Sequence, residues 1–598
     1  MNGTRPPILI LYGSETGCAE DVAERMARQA KRRRFPVRVH PANDFTGSSL
    51  SDETIILFAV ATTGQGEEPR NMKRFWRAML QRHLSPTLYS HITYAVFGLG
   101  DSGYAKFNYP GKKLYKRLLQ LGANPIAPRG DGDDQHYLGL DGALVPWLKD
   151  LWIRLSNRYP LPKGVEEMSE DELMPSTYRI TPVPPSSSSE DLQYRLVLEE
   201  GERRVSCLKN TRITHPDHFQ DVRHFIFGMD PDKDVQEGFP RDTSHLSYRP
   251  GDVMNIQPEN VPEQVDAILD LLGWAERADE FLDIQPRETG SSNHPAWIKE
   301  KRTLRQLFTY HLDAFSTPRT SFFEWLSHFA QDSEHKEKLQ EFTSPEGQDD
   351  LQTYCHRMKR TAYEVLKDFT PMVIPIEYVL DVFPRLRPRP FSIASAPKPT
   401  GEIELAVGII RYRTRMSSPR VGVCTQWMKD LQKGSRLTAS ISPGSLELPD
   451  DPKTPLILIG LGLAPMRSFL QERISQGAYE NSVYFGCRYS DKDFHFREDL
   501  EGWAQKGHLK LRTAFSRDEE KRVYVQHRMV EHAQELWKSI HEESAKILLS
   551  GNANRMPDDV ATALVTIFIQ EGGMIEEEAR TLLGIMEKHG QFQQECWF

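Results

Sequence analysis

The chain is poor in cysteine: six thiols, Cys18, Cys207, Cys355, Cys424, Cys487 and Cys596, are spread over 598 residues. No two stand as C-x-x-C, which speaks against a zinc site or a thioredoxin-type motif. So sparse a use suits a reducing compartment. Basic residues are not in excess either. Lys and Arg number 75 against 84 Asp and Glu, a formal net charge of −9, and that argues against a nucleic-acid binder. The one basic run, Lys31-Arg32-Arg33-Arg34, follows "DVAERMARQA" and reads as the solvated end of a helix. No apolar run approaches the ~20 residues of a membrane span. No signal-peptide pattern fits "MNGTRPP" ahead of "ILILYGS". Internal repeats are lacking too. The expectation is a soluble, cytoplasmic protein with no membrane anchor and no nucleic-acid partner, its length suggesting roughly three to five domains.

What the chain does have is organised in blocks. Up to residue 157, short apolar runs alternate with helical patterns. "ILILYGS", "TIILFAVATTG", "TYAVFGLGD" and "NPIAPRGDGD" read as strands, each opening into a loop rich in Gly, Thr, Ser or Asp. Val22 with Met26, and Ala23 with Ala27, fall at helical spacing. Such alternation predicts a parallel, doubly wound sheet, whose ligands sit beyond the carboxyl ends of its strands. From 158 to 198 proline, serine and acids dominate, as in "TPVPPSSSSEDL", and we read a linker. Residues 199–257 and 384–449 carry β-type segments with turns, "SYRPGDVMNIQP" and "EIELAVGIIRYRT" among them, and predict an antiparallel barrel. Residues 258–383, with "PEQVDAILDLLGWA" and "RTAYEVLKDF", read as a helical insertion into it. From 450 to 598 the βα alternation returns. The expected fold class is multidomain, α/β and β.

At the first sheet's edge, "GSETGCAED" joins a strand to a helix. Ser14, Thr16 and Gly17 offer hydroxyls and close N–H groups, and the helix adds its positive end. That is a phosphomonoester cradle without a lysine; an ordinary βα turn has the same look. "ATTGQGEEP" (61–69) and "GLGDSGYAKFN" (98–108) suit a planar ring, and "GDGDDQH" (130–136) closes the site. With all four loops in order, this block resembles the flavodoxin-like FMN domain of diflavin reductases. The resemblance implies that Ser14, Glu15, Thr16, Gly17, Cys18 and Ala19 hold the FMN phosphate. Ala61, Thr62, Thr63 and Gly64 would border the isoalloxazine. So would Leu99, Gly100, Asp101, Ser102, Gly103, Tyr104, Ala105, Lys106, Phe107 and Asn108, with Asp134 near its edge. Tyr104 is the expected stacking ring; a loop tyrosine packed on the surface is the alternative. Thr63 stands where several relatives carry an aromatic, and Cys18 where threonine is usual.

In the second half, "RPFSIAS" puts Arg389 and Phe391 on one face of a strand and Ser392 on the other. An arginine pairs with a pyrophosphate and a ring covers a flavin. Gly422, Val423, Cys424 and Thr425 begin a helix pattern that offers N–H groups and a hydroxyl to a phosphate. Paired, the segments resemble the FAD-binding signature of the ferredoxin–NADP reductase family, with Pro390 inside the motif and Phe391 where tyrosine is usual. The expected barrel is therefore a ferredoxin–NADP reductase-like FAD barrel, followed by an α/β NADP-binding domain. Arg357, in "YCHRMKRT", matches a family FAD contact and equally suits a surface helix. "AFSRDEEKRVYVQH" gathers Ser516, Arg517, Arg522, Tyr524 and Gln526, with Val523 and Val525 between them. A 2′-phosphate needs such partners, and the segment resembles the NADPH-selective reductases. Asp559, in "GNANRMPDDV", resembles a further NADP-contacting turn. The resemblance also implies that Trp597 covers the FAD ring at rest. Ser392, Cys487 and Glu595 would lie beside the transfer site and orient the nicotinamide. For Cys487 a buried strand cysteine is the alternative.

"LIGLGLAPMR" (458–467) departs from the pattern. Relatives carry G-x-G-T-G-x-A-P-x-R, so this loop is about two residues short and lacks the threonine. Either NADPH is held more weakly, or the sequence carries a local error such as a displaced splice junction, or Gly460 and Gly462 simply allow a tight turn. Taken whole, the chain resembles an NADPH-dependent diflavin oxidoreductase. "ATTGQGEEPRNMKRFWR" and "GDDQHYLGLDGALVPWL" are similar to the soluble branch that serves cytosolic iron–sulfur protein assembly. The implied route runs from NADPH to FAD to FMN to an iron–sulfur protein of the anamorsin type. A P450, methionine synthase or a flavin-loaded scaffold without NADPH entry are the alternatives. Glu67, Glu68, Asp101, Asp131, Asp133 and Asp134 are expected to steer a partner with basic residues.

Overall fold

Ile8–Gly13 is buried at every position, as a strand covered on both faces must be. The same holds for six of the seven residues of Ile55–Ala61. The computed structural model describes residues 5–46, 48–104, 106–183, 197–199, 201–229, 246–288 and 294–597. By contact density they form two units interleaved along the chain. One is Met1–Val197 with Asn260–Arg387 and Thr414–Met416; the other is Leu198–Glu259 with Pro388–Arg413 and Ser417–Phe598.

The first unit begins with β1 (Ile8–Gly13), α1 (Cys18–Arg32), β2 (Val37–Pro41), β3 (Ile55–Ala61), α2 (Arg70–Met79), β4 (Thr93–Gly100), α3 (Tyr109–Gln120), β5 (Asn124–Pro125), β6 (Gly130–Asp133) and α4 (Asp141–Arg158). The strands form one sheet in the order β2-β1-β3-β4-β5, with β6 also beside β4. All pairings are parallel, with Ile8 opposite Ile55 and Ile55 opposite Thr93. Alternation along β1 sends Ile8, Ile10 and Tyr12 to the side of α1 and α4, and Leu9 and Leu11 to the side of α2 and α3. β2 escapes a pattern-based reading because it is a short, half-buried edge. "NPIAPRGDGD" yields two short strands rather than one. The basic run does end α1, and Arg34 turns out of it with φ 60°.

The remainder of this unit is a helical layer. Pro262–Leu271, Thr320–Phe329, Ser333–Thr343 and Ala362–Asp368 share a core with Phe308, Phe323, Leu326 and Val365. Within the proline-rich stretch, Tyr178–Pro182 pairs antiparallel with Phe281–Pro286; residues 184–196, with the serine run, lie outside the described residues. The layer is tied to α1 by charge: Glu324 accepts from Arg25 (3.0 Å) and Arg28 (2.9 Å). Asp141 at the head of α4 accepts from Arg25 and from the Thr320 hydroxyl.

The second unit holds the barrel and a second parallel sheet. The barrel strands follow the order Arg389–Ser392, Val253–Gln257, Arg436–Ser442, Glu202–Arg212, Val222–Gly228, Ile403–Gly408. A bridge from Ile393 to Leu405 joins the two ends, so the six strands close. The parallel sheet runs Lys510–Phe515, Asn481–Cys487, Leu456–Gly460, Lys546–Asn552, Phe592–Trp597. The fold is thus the expected multidomain one: a doubly wound domain, an antiparallel barrel with a helical insertion, and a second α/β domain. Among the described residues no helix is long and apolar enough to cross a membrane.

Candidate functional site

In the first unit, the loops after β1, β3, β4 and β6 all leave the carboxyl edge of one sheet. Gly17, at φ 89°, caps α1 in a conformation that a side chain would strain. Its N–H donates to Ser14 Oγ (3.0 Å), and the Ser14 N–H donates to Asn71 Oδ1 (2.8 Å). Glu15 accepts from Arg70 Nε at 2.5 Å. The Thr16 hydroxyl donates to Cys18 Sγ at 3.7 Å, and Ala19 is buried. The loop is therefore preformed and braced from the side by Asn71 and Arg70, residues that nothing in the local sequence flags.

After β3, which ends at Ala61, the Thr62 N–H donates to the Leu99 carbonyl (2.8 Å), joining two of the loops. Thr63 closes a turn on the Glu67 carbonyl around Gly64. Beyond Gly100, Asp101 accepts from the Gly103 N–H (2.7 Å) and from Gln135 (3.0 Å), while the Ser102 N–H donates to Asp133 (2.9 Å). The Asp134 N–H donates to the Gly100 carbonyl, so the third and fourth loops are held together. Tyr104 is half-buried, Lys106 packs on Gly66, and Phe107 lies under the Lys112 ammonium. Ala105 lies outside the described residues. Asn108 is wholly buried, starts α3 at φ 53° and donates to the Gly132 carbonyl. Two buried polar atoms of these loops have no protein partner: Thr62 Oγ1 and Asn108 Oδ1. Buried polar groups are nearly always paired, so this edge fits a polar ligand. Of the acidic rim, Glu68 pairs with Lys113 and Asp131 with Arg129 (2.7 Å).

In the second unit the two FAD-motif segments come together. Arg389 lies opposite Ile256, Pro390 opposite Asn255, Phe391 opposite Met254 and Ser392 opposite Val253. Phe391 packs against the barrel core. Gly422 caps the helix Val423–Lys429. Burial pushes the Cys424 thiol up to about 12, and the Arg389 charge opposes that rise. The Thr425 hydroxyl accepts from the Ile410 N–H (3.1 Å) and so serves the scaffold. Arg357 falls in the first unit, where it donates to Thr353 Oγ1 (3.0 Å).

At the carboxyl edge of the second parallel sheet, Cys487 ends its strand opposite Phe515, and Glu595 lies opposite Ser550. Ser392 belongs to the barrel wall, a different sheet. Burial, reinforced by Asp493, pushes the Cys487 thiol far above its ordinary value, so it stays a neutral donor, to the Tyr489 carbonyl. The Ser516 N–H donates to the Cys487 carbonyl and the Arg517 N–H to that of Arg488. Arg517 and Arg522 are exposed, Tyr524 caps the helix Val525–Glu531, and Val523 and Val525 face the core. Gln526 donates to Asp559 (3.1 Å), uniting two segments that the sequence reading assigned to one ligand. Trp597 ends the last strand; its side chain lies outside the described residues.

The glycine loop at 460–463 turns inward. Gly460 has φ 132°, and a side chain there would drive into the Ser550 carbonyl. The Leu461 and Gly462 N–H groups both donate to that same carbonyl (3.1 and 3.0 Å), and the Leu463 N–H to Leu461 (3.1 Å). Pro465 has no N–H to give. Arg467 is buried on Glu404, Asp499 and the Ala394 carbonyl. Arg517 and Arg522 thus stay exposed, whereas these donors of the glycine loop are committed to the protein.

Residues 10–147 match a flavodoxin model, 235–427 an FAD binding domain and 456–562 an oxidoreductase NAD-binding domain. NADPH-dependent diflavin oxidoreductase 1 of Danio rerio is 40% identical over 608 residues, covering 99% of each chain. The proteins of that name from Mus musculus and Schizosaccharomyces pombe are 38% and 36% identical, again over 99% of both chains.

Proposed function

The chain belongs to the family of NADPH-dependent diflavin oxidoreductases, enzymes with flavodoxin, FAD-binding and NAD-binding domains that use FMN, FAD and NADPH, and from this premise we propose how its residues divide the work. Ser14 to Ala19 hold the FMN phosphate, and the loops 61–64 and 99–108 with Asp134 border its ring, Tyr104 stacking on it. The observation that carries this reading is the pair of partnerless buried atoms, Thr62 Oγ1 and Asn108 Oδ1, at the edge where four loops meet. Arg389 and Phe391, with the helix start at 422–425, hold FAD. Ser516, Arg517, Arg522, Tyr524 and Gln526, with Asp559, hold the 2′-phosphate end of NADPH. Bound flavins supply the exchange between a two-electron donor and one-electron acceptors. The protein's part is to orient and to exclude water. Cys487, as a neutral thiol, and Glu595 position the nicotinamide and steady developing charge.

The acceptor we assign is an iron–sulfur protein of the anamorsin type, in cytoplasmic iron–sulfur cluster assembly. The resemblance of residues 61–77 and 132–148 to that branch supports it. So does the acidic rim, where Asp101, Asp133 and Asp134 stand at the ring-bordering loops and Glu67 meets Lys73 at 3.8 Å. Anaerobic mixing of the enzyme with NADPH and the purified iron–sulfur protein tests the assignment. Cluster bleaching at catalytic enzyme is expected. Reduced flavins beside an oxidised cluster, with rapid turnover of a P450 or methionine synthase, sink it.

A further inference from the structure

The FMN phosphate loop has a charge problem that its own domain does not solve. A phosphomonoester brings about two negative charges at neutral pH, and a helix end offers only about half a positive one. Between Gly13 and Glu24 there is no lysine or arginine, while Glu15, Glu20 and Asp21 add carboxylates. Arg70 and Arg25 of the same block are committed: Arg70 to Glu15, and Arg25 to Asp141 and Glu324.

Two arginines of the helical layer reach this loop. Arg319 Nη2 donates to the Thr16 carbonyl at 3.3 Å and to Cys18 Sγ at 3.5 Å. Arg387 pairs with Glu20, and its Nε lies 3.2 Å from where a side chain on Gly17 would begin. Ser321, two residues beyond Arg319, donates to Asp21 at 2.5 Å. The helical layer thus touches the head of α1 at the residues assigned to the phosphate.

The geometry points to Arg319 as part of the FMN phosphate site and to Arg387 as the cation that cancels Glu20 beside it: together they supply, from the helical layer, the positive charge that residues 14–19 lack. This rests on the assignment of that loop to the phosphate. Binding and docking are then linked. The phosphate strengthens the hold of the helical layer on α1, and a docked layer strengthens the hold on FMN, by the same factor. Riboflavin, which has no phosphate, escapes the linkage.

The test is titration of the flavin-stripped full chain with FMN and with riboflavin, followed by flavin fluorescence. In R319Q and in R387Q the FMN Kd rises about threefold to tenfold each, the range expected for a partly screened unit charge. The riboflavin Kd stays put, and the Lys variants at both positions recover most of the loss. An unchanged ratio of FMN to riboflavin affinity in the double Gln variant overturns the inference. S14A and T16A distinguish the two layers of the argument. If they lower that ratio and the Gln variants do not, only the arginine assignment falls. If they too leave it unchanged, the loop assignment falls with it. Should the Gln variants not fold, wild-type protein decides: added salt must weaken FMN more than riboflavin, and equal responses overturn the inference.

Discussion

Inserting Thr-Gly after Gly462 restores the G-x-G-T-G-x-A-P-x-R spacing and frees the start of the helix Leu463–Ser475 from Ser550. In the present loop the Leu461 and Gly462 N–H groups are both spent on one carbonyl, and Pro465 offers none. Two N–H groups returned to a pyrophosphate are worth about 1.5–3 kcal/mol each as charge-assisted bonds. Ordering two added residues costs about 1–2 kcal/mol each. The net is about 1–2 kcal/mol, or roughly fivefold to thirtyfold in affinity. Calorimetry with 2′-AMP and 2′,5′-ADP isolates the effect, because the second carries the extra phosphate at the loop. In the natural chain the two bind within a fewfold of each other. In the insertion variant 2′,5′-ADP gains about tenfold while 2′-AMP is unchanged. If the natural chain already prefers 2′,5′-ADP by tenfold or more, the loop is not closed and the reasoning fails.

Other expectations follow from the same geometry. Glu404 is buried among His224 (2.7 Å), Arg467 (3.0 Å) and Lys398, so E404A costs about 3–5 kcal/mol, read as a lower midpoint when unfolding is followed by flavin release. Burial alone would raise that carboxyl, but His224, Arg467 and Lys398 hold it well below its ordinary 4.5. Its contribution is therefore complete above about pH 4.5 and drains away as pH falls; a wild-type-to-variant gap that grows in acid would contradict this. Alkylation at pH 8 should label exposed Cys18 well before Cys487, whose thiol is held protonated; prompt labelling of Cys487 tells against it. Tyr104→Ala should weaken FMN about tenfold, the loss of one stacking contact, without altering FAD content. Electron transfer to the iron–sulfur acceptor should slow with added salt, and a salt-independent rate removes the acidic rim from the account.

The four loops of the first sheet were legible because each sits in one contiguous stretch and the strands before them are uninterrupted apolar runs. The strand that runs into residues 514–527 was legible for the same reason. What braces these loops was not. Asn71 meets Ser14 across 57 positions, and nothing near either marks the pair. Arg467 reads as part of a nucleotide loop, yet its guanidinium is fixed by Glu404, 63 positions away. The shortened glycine loop showed as a departure in sequence, but its physical meaning lies in Ser550, on a neighbouring strand. Val37–Pro41 was missed because a five-residue edge carries too little alternation. Local pattern reveals the strands and the loops they open into; the partners that brace those loops come from pairings that only the fold creates.

The central claim is that reducing equivalents enter through the second unit and leave through the FMN loops of the first. Enzyme stripped of FMN alone, with FAD retained, tests it most directly. With NADPH it should still reduce ferricyanide, fail to reduce the iron–sulfur acceptor, and recover that activity when FMN is returned. Acceptor reduction that proceeds undiminished without FMN would contradict the account.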